Sequence, residues 1–134
     1  MPWAIEYFER EDSQRPAEVF EDALEASADR DERRISGKLL RIADELAQKG
    51  FRTGGGYVES CHEAPDIWQM KADAGRKRGR EFFAFHGDRV VLLSGVVKGA
   101  RQPTPARAFT EALEHLREYR STGHVSPEEE EEDE

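Results

Sequence analysis

Nine basic residues, Lys71, Arg76, Lys77, Arg78, Arg80, Arg89, Lys98, Arg101 and Arg107, fall in one stretch of the chain that holds only three Asp or Glu. The formal net charge of the 134-residue protein is −9, so this stretch is a basic island in an acidic background. Ammonium and guanidinium groups concentrated in this way attract phosphates, which makes a polyanion such as RNA the first partner to consider. The run Arg76-Lys77-Arg78 is expected in a hairpin loop, where it would grip phosphates without sequence preference. Arg89, Arg101 and Arg107 extend the same charge along the chain. Phe82, Phe83 and Phe85 interleave with it; aromatic faces stack on any base, although those on the buried side of a strand belong to the core.

Other chemistries have weaker support. His62, His86, His115 and Glu63 lack the paired spacing of a metal site, and one cysteine, Cys61, cannot build a thiolate cage or an intramolecular disulfide. No metal or cofactor is expected. The triple Gly54-Gly55-Gly56 follows a helix rather than a strand and lacks the Gly-Lys-Ser/Thr of a phosphate loop, so it reads as a connector.

The elements that must position the island follow from periodicity. Residues 3–9 alternate Trp3, Ile5 and Tyr7 with Ala4, Glu6 and Phe8, which predicts a strand. Pro16 suits the first turn of a short helix carrying Val19, Phe20, Ala23 and Leu24. Ile35, Leu39, Ile42, Ala43 and Leu46 mark one face of a second helix over 31–49, closed by Gly50. Residues 51–65 read as loop. Strands are predicted over 66–72, 80–86 and 89–97, with Gly87-Asp88 as a turn and the last, most apolar strand central in the sheet. After Pro103 and Pro105, Ala108, Phe109, Ala112, Leu113, Leu116 and Tyr119 define a closing helix. The order is β-α-α-β-β-β-α, an α+β fold in which helices cover one face of a small antiparallel sheet.

One domain over residues 1–125 and an acidic tail over 126–134 account for the length. The tail is expected to be disordered, either solubilising or folding over the island as a nucleic-acid mimic. No apolar run reaches membrane-spanning length and the first residues lack a signal peptide's pattern, so a cytoplasmic protein is expected, with no membrane partner.

Several segments, in order, resemble one family. They are Trp3-Ala-Ile-Glu-Tyr-Phe8, Arg15-Pro-Ala-Glu-Val-Phe-Glu-Asp-Ala-Leu24, Ile67-Trp-Gln-Met-Lys71, Gly79-Arg-Glu-Phe-Phe-Ala-Phe85, and Val90-Val-Leu-Leu-Ser-Gly-Val-Val-Lys98 followed by Thr104-Pro105. The chain is similar through these to RelE/HigB-like toxins of type II toxin-antitoxin modules, most closely to their phage-related branch. The resemblance implies a RelE-like fold and a ribosome-dependent endoribonuclease that cuts mRNA through the ribose 2′-hydroxyl without a metal. It implies the ribosome, mRNA and a cognate helix-turn-helix antitoxin as partners. It also places catalysis on Arg80 for phosphate stabilisation and on Lys71 and Lys98 for base and charge-stabilising roles. Tyr119 is a candidate proton donor from the last helix. The branch often carries His-Gly-Phe-x-Lys-Lys where this chain reads Ser94-Gly95-Val96-Val97-Lys98-Gly99. That departure keeps open a second class: a non-catalytic protein on the same scaffold, either a ParE-like gyrase inhibitor or a phage or host regulator that binds RNA or protein.

Overall fold

The computed structural model describes residues 2–53 and 55–122. It is an α+β protein of three helices and one five-stranded, mostly antiparallel sheet. The acidic tail lies outside the described residues.

Strand β1, Ala4–Tyr7, leads into helix α1, Pro16–Glu25, with Pro16 in the first turn, where its missing N–H is no loss. Helix α2, Arg30–Lys49, starts at Asp29, whose Oδ1 accepts from the Asp31 N–H at 2.7 Å and the Glu32 N–H at 3.3 Å. It ends at Gly50, which has φ +53° and lies against the Trp3 indole; a Cβ there would fall 2.0 Å from Trp3 Nε1. Both the left-handed backbone and the close approach require glycine.

The strands β2, Val58–Ser60, β3, Trp68–Ala74, β4, Lys77–His86, and β5, Arg89–Gly99, precede helix α3, Ala106–Ser121. Sheet order is β1-β5-β4-β3-β2, with β1 parallel to β5 and every other pair antiparallel. The sequence expectation is corrected at three points. A short strand, β2, stands inside the predicted loop. The sheet is mixed, because the first strand pairs in parallel with the last. Helices cover both faces.

That third point follows from the strands themselves. In β5, Val90 and Leu92 pack with Ile35, Leu39 and Leu46 of α2 and Leu24 of α1, whereas Val91 and Leu93 pack with Ala112, Leu116 and Tyr119 of α3. Phe83 joins the first group and Phe82 the second, and both are fully buried, so the base-stacking role is closed to them. A continuous apolar run is what a strand buried on both faces requires. A bulge between Phe82 and Phe83 shifts the β4–β5 register midway.

Under α1 the sheet carries an ionisable group. Glu81 is 0% exposed and opposes Gly95, over which the Phe20 ring lies so closely that a Cβ would come within 2.2 Å. Among the described residues no donor reaches either Glu81 oxygen except through its neighbour Glu21, itself a carboxyl. Burial first, and then Glu21, push Glu81 well above the ordinary carboxylate range. Burial and the neighbouring carboxyl thus favour the neutral form of Glu81, while Glu21 accepts from the Tyr7 hydroxyl.

Candidate nucleic-acid interface

The site is built by strand register. Lys71 of β3 opposes Arg80 of β4, which opposes Val96 of β5; two residues along, Asp73 opposes Arg78, which opposes Lys98. Successive side chains alternate between faces, so Lys71, Asp73, Arg78, Arg80 and Lys98 project from one face. It is the face on which Phe82 and Val96 pack with α3, and the cations occupy its end near the Gly75-Arg76 turn. Three strands thus bring Lys71, Arg80 and Lys98 together with Arg78, which the sequence reading assigned to a separate loop grip.

Contacts within the patch orient it. The Arg80 guanidinium donates through Nη1 to Asp73 Oδ1 at 2.7 Å, and its side chain is only 11% exposed. Arg78 Nε stands 3.6 Å from the other Asp73 oxygen. Lys71 Nζ is 3.3 Å from Glu59 Oε1 at the edge of the sheet. Lys98 Nζ donates to the Gln102 carbonyl at 2.8 Å, while the Gln102 side chain accepts from the Gly99 N–H at 2.9 Å. The turn after β5 therefore holds Lys98 in place. Desolvation, then the positive charges of Arg80, Arg78 and Lys71, lower the Lys98 pKa below the ordinary lysine value, with Asp73 opposing. A lysine releases its proton far more readily than an arginine, so a lysine with a lowered pKa is the cation of this set best suited to act as a base.

Other residues of the island are elsewhere. Lys77 and Arg78 lie in β4 rather than in a loop, and only Arg76 is in the turn. Lys77 Nζ is committed to the start of α2, at 2.5 Å from Asp29 Oδ2 and 2.6 Å from Glu32 Oε2. Hydrogen bonding to Lys77 is the first cause that lowers both carboxyls. Arg89 is 7% exposed at the far end of the hairpin, 3.4 Å from Glu6 Oε2. Tyr119, 2% exposed, is hydrogen-bonded to Arg89 and edge-on to His86 at 5.2 Å. The eight residues from Arg78 to His86 put it roughly 25 Å along the strand from Lys98. Its predicted role as proton donor is therefore corrected: distance and burial separate it from the cations. Arg101 and Arg107 are exposed, in the turn after β5 and the first turn of α3.

His115 is buried with Nδ1 3.0 Å from the Leu93 carbonyl and its ring stacked on Phe8. Cys61 is buried and its thiol is pushed up to about 12, chiefly by burial, which keeps it a packing residue. Sequence reasoning missed Asp73 and the place of Arg78. The signal was their parity: 71 and 73 share a face, as do 78 and 80, once both segments are read as strands.

The fold and this patch define a small α+β protein with a cationic surface set on a rigid sheet. No protein-family model matches the chain, and none of the curated proteins matches it. Among the described residues no helix is long and apolar enough to cross a membrane, and no group of three or more His, Cys, Asp or Glu is placed to hold a metal ion.

Proposed function

We propose that the protein is a RelE/HigB-like toxin on a RelE-like fold, an endoribonuclease that cuts mRNA on the ribosome and is neutralised by a cognate antitoxin. The observation that carries this reading is the convergence of Lys71, Arg78, Arg80 and Lys98 on one open end of the sheet, with the Lys98 pKa lowered by desolvation first and then by its cationic neighbours. RNA cleavage through the 2′-hydroxyl needs a base, cations around the phosphorane and an acid at the 5′ oxygen. Neutral Lys98 takes the 2′-hydroxyl proton as the 2′ oxygen attacks phosphorus. Arg80 and Arg78 exchange Asp73 for the phosphorane oxygens. Lys71, 3.3 Å from Glu59 Oε1, gives a proton to the departing 5′ oxygen. The products are a 2′,3′-cyclic phosphate and a 5′-hydroxyl end.

The test is induction of the wild type and Arg80→Ala in a bacterial host, with mapping of mRNA 5′ ends. In-frame 5′-hydroxyl ends that vanish in the variant support the enzyme. Toxicity without new ends supports the second reading, a non-catalytic RNA- or protein-binding relative such as a ParE-like gyrase inhibitor. That second reading is favoured by Asp73, which already neutralises Arg80, and by the placement of His86 and Tyr119 at the far end of the hairpin.

A further inference from the structure

Strand β2 pairs only with residues 68–70 of β3 and ends its contact where the Lys71 N–H donates to the Tyr57 carbonyl at 2.8 Å. Beyond that point, among the described residues, β3 has no neighbouring strand on its outer side. A cleft of about 540 Å³ follows this edge, lined by Lys38, Arg41, Glu45, Tyr57, Lys71 and Asp73 among others. Its volume lies within the range of small-molecule and nucleotide sites. Lys71 and Asp73 border this cleft and carry their side chains to the patch's face, so the edge of β3 is shared by the two.

The lining has the three components that a nucleotide needs. Tyr57 is 55% exposed, an unusual state for a large aromatic, and its ring rests against Gly55, where a Cβ would come within 2.8 Å of it. It offers a stacking face to a base. Arg41 is exposed on the opposite wall, and Lys38, which donates to the Asp73 carbonyl, stands beside it; both can meet phosphate. Glu45 supplies an acceptor of the kind that pairs with an exocyclic amino group.

We infer that the cleft at the β3 edge is a second nucleotide subsite: it takes a base of single-stranded RNA stacked on Tyr57, with the adjoining phosphate on Arg41, while the strand continues over Lys71 to Arg80. The inference rests on the proposed RNA-binding role of the patch and adds the direction in which the strand leaves it. An acidic peptide would satisfy the cations and leave Tyr57 without a partner, whereas RNA engages both.

The experiment measures fluorescence anisotropy with a labelled 2′-O-methyl RNA 12-mer, which cannot be cut, on the full chain and on Tyr57→Ala, Tyr57→Phe, Arg41→Ala and Arg80→Ala. Tyr57→Ala weakens binding about tenfold and Tyr57→Phe restores it, as expected for stacking. Arg41→Ala lowers the slope of log affinity against log salt by about one. Wild-type binding that Arg80→Ala weakens and the Tyr57 and Arg41 variants leave unchanged would overturn the subsite while sparing the proposed function. Absence of wild-type binding would overturn both. An abasic 12-mer or an oligoglutamate peptide that binds as tightly as the RNA also overturns the subsite, since neither carries a base to stack.

Discussion

Arg80 and Arg89 come from the same basic stretch, lie on the same strand pair, and have opposite fates. Arg80 stands at the open end of the hairpin, tied to the exposed carboxylate of Asp73 and surrounded by Lys71, Arg78 and Lys98. Arg89 stands at the closed end, covered, with Glu6 and Tyr119 as partners. The first pairing can be exchanged for a phosphate with little loss, because Asp73 returns to water. The second cannot, since removing one partner strands the other in a poorly solvated place. Positive charge in a sequence is thus divided by geometry into a part left open to exchange its partner and a part that builds.

The largest expected difference between the two ends is in catalysis. Arg80→Ala should reduce mRNA cleavage by about 10²- to 10³-fold, the usual cost of losing a group that stabilises a charged transition state. Arg89→Ala should lower unfolding stability by about 2–3 kcal/mol in urea melts and leave cleavage per folded molecule unchanged. Equal losses of activity after correction for folding would break the distinction.

Lys98→Arg sharpens it further, because the charge is retained and only titration is lost. The Lys98 pKa is lowered, so in the wild type the cleavage rate should climb as pH rises through that depressed value and level off before the ordinary lysine value of 10.5. The arginine variant should lack this rise and run about 10²-fold slower.

Glu81 extends the comparison to the opposite face of the sheet. Its pKa is raised in the folded state, so its contribution to stability is complete below the ordinary carboxyl value of 4.5 and is lost as pH rises from there through the folded value. Asp29 and Glu32, lowered by Lys77, act oppositely: their contribution is present above the ordinary values and is lost as pH falls through the depressed ones. Glu81→Gln should therefore stabilise the protein at pH 8 by about 1 kcal/mol or more and do little at pH 4, as read by thermal melts at both pH values. The smallest effect is expected for Tyr119→Phe, a loss of about 1 kcal/mol of stability from the missing hydrogen bond and no change in cleavage.

Much of this was legible in the sequence, and the omissions have physical causes. Helix α2 and the β4–β5 hairpin announce themselves through long periodic runs and the Gly87-Asp88 turn. Strand β2 is three residues long, too short for any period to show, and its partner is chosen by tertiary contact. The parallel seating of β1 on β5 has no local signature, because nothing in Ala4–Tyr7 specifies which edge it will join. Coverage of both faces was readable from Phe82-Phe83-Ala84 and Val90-Val91-Leu92-Leu93, which leave no polar side to the sheet. At the site, Lys71, Arg80 and Lys98 were visible as residues and are brought together by register. The burial of Arg89 and Tyr119, and the commitment of Lys77 to Asp29 and Glu32, depend on elements distant in sequence that no local pattern identifies.

The parallel pairing of β1 with β5 also governs timing during synthesis. The first strand to leave the ribosome must wait for the last strand of the sheet before it can pair, and Lys98 lies farther along than its partner residues Arg89 to Leu92. Nascent chains shorter than this carry an unclosed sheet and an incomplete set of cations. The patch and the closed sheet are therefore completed together, as a single late event in the folding of each molecule.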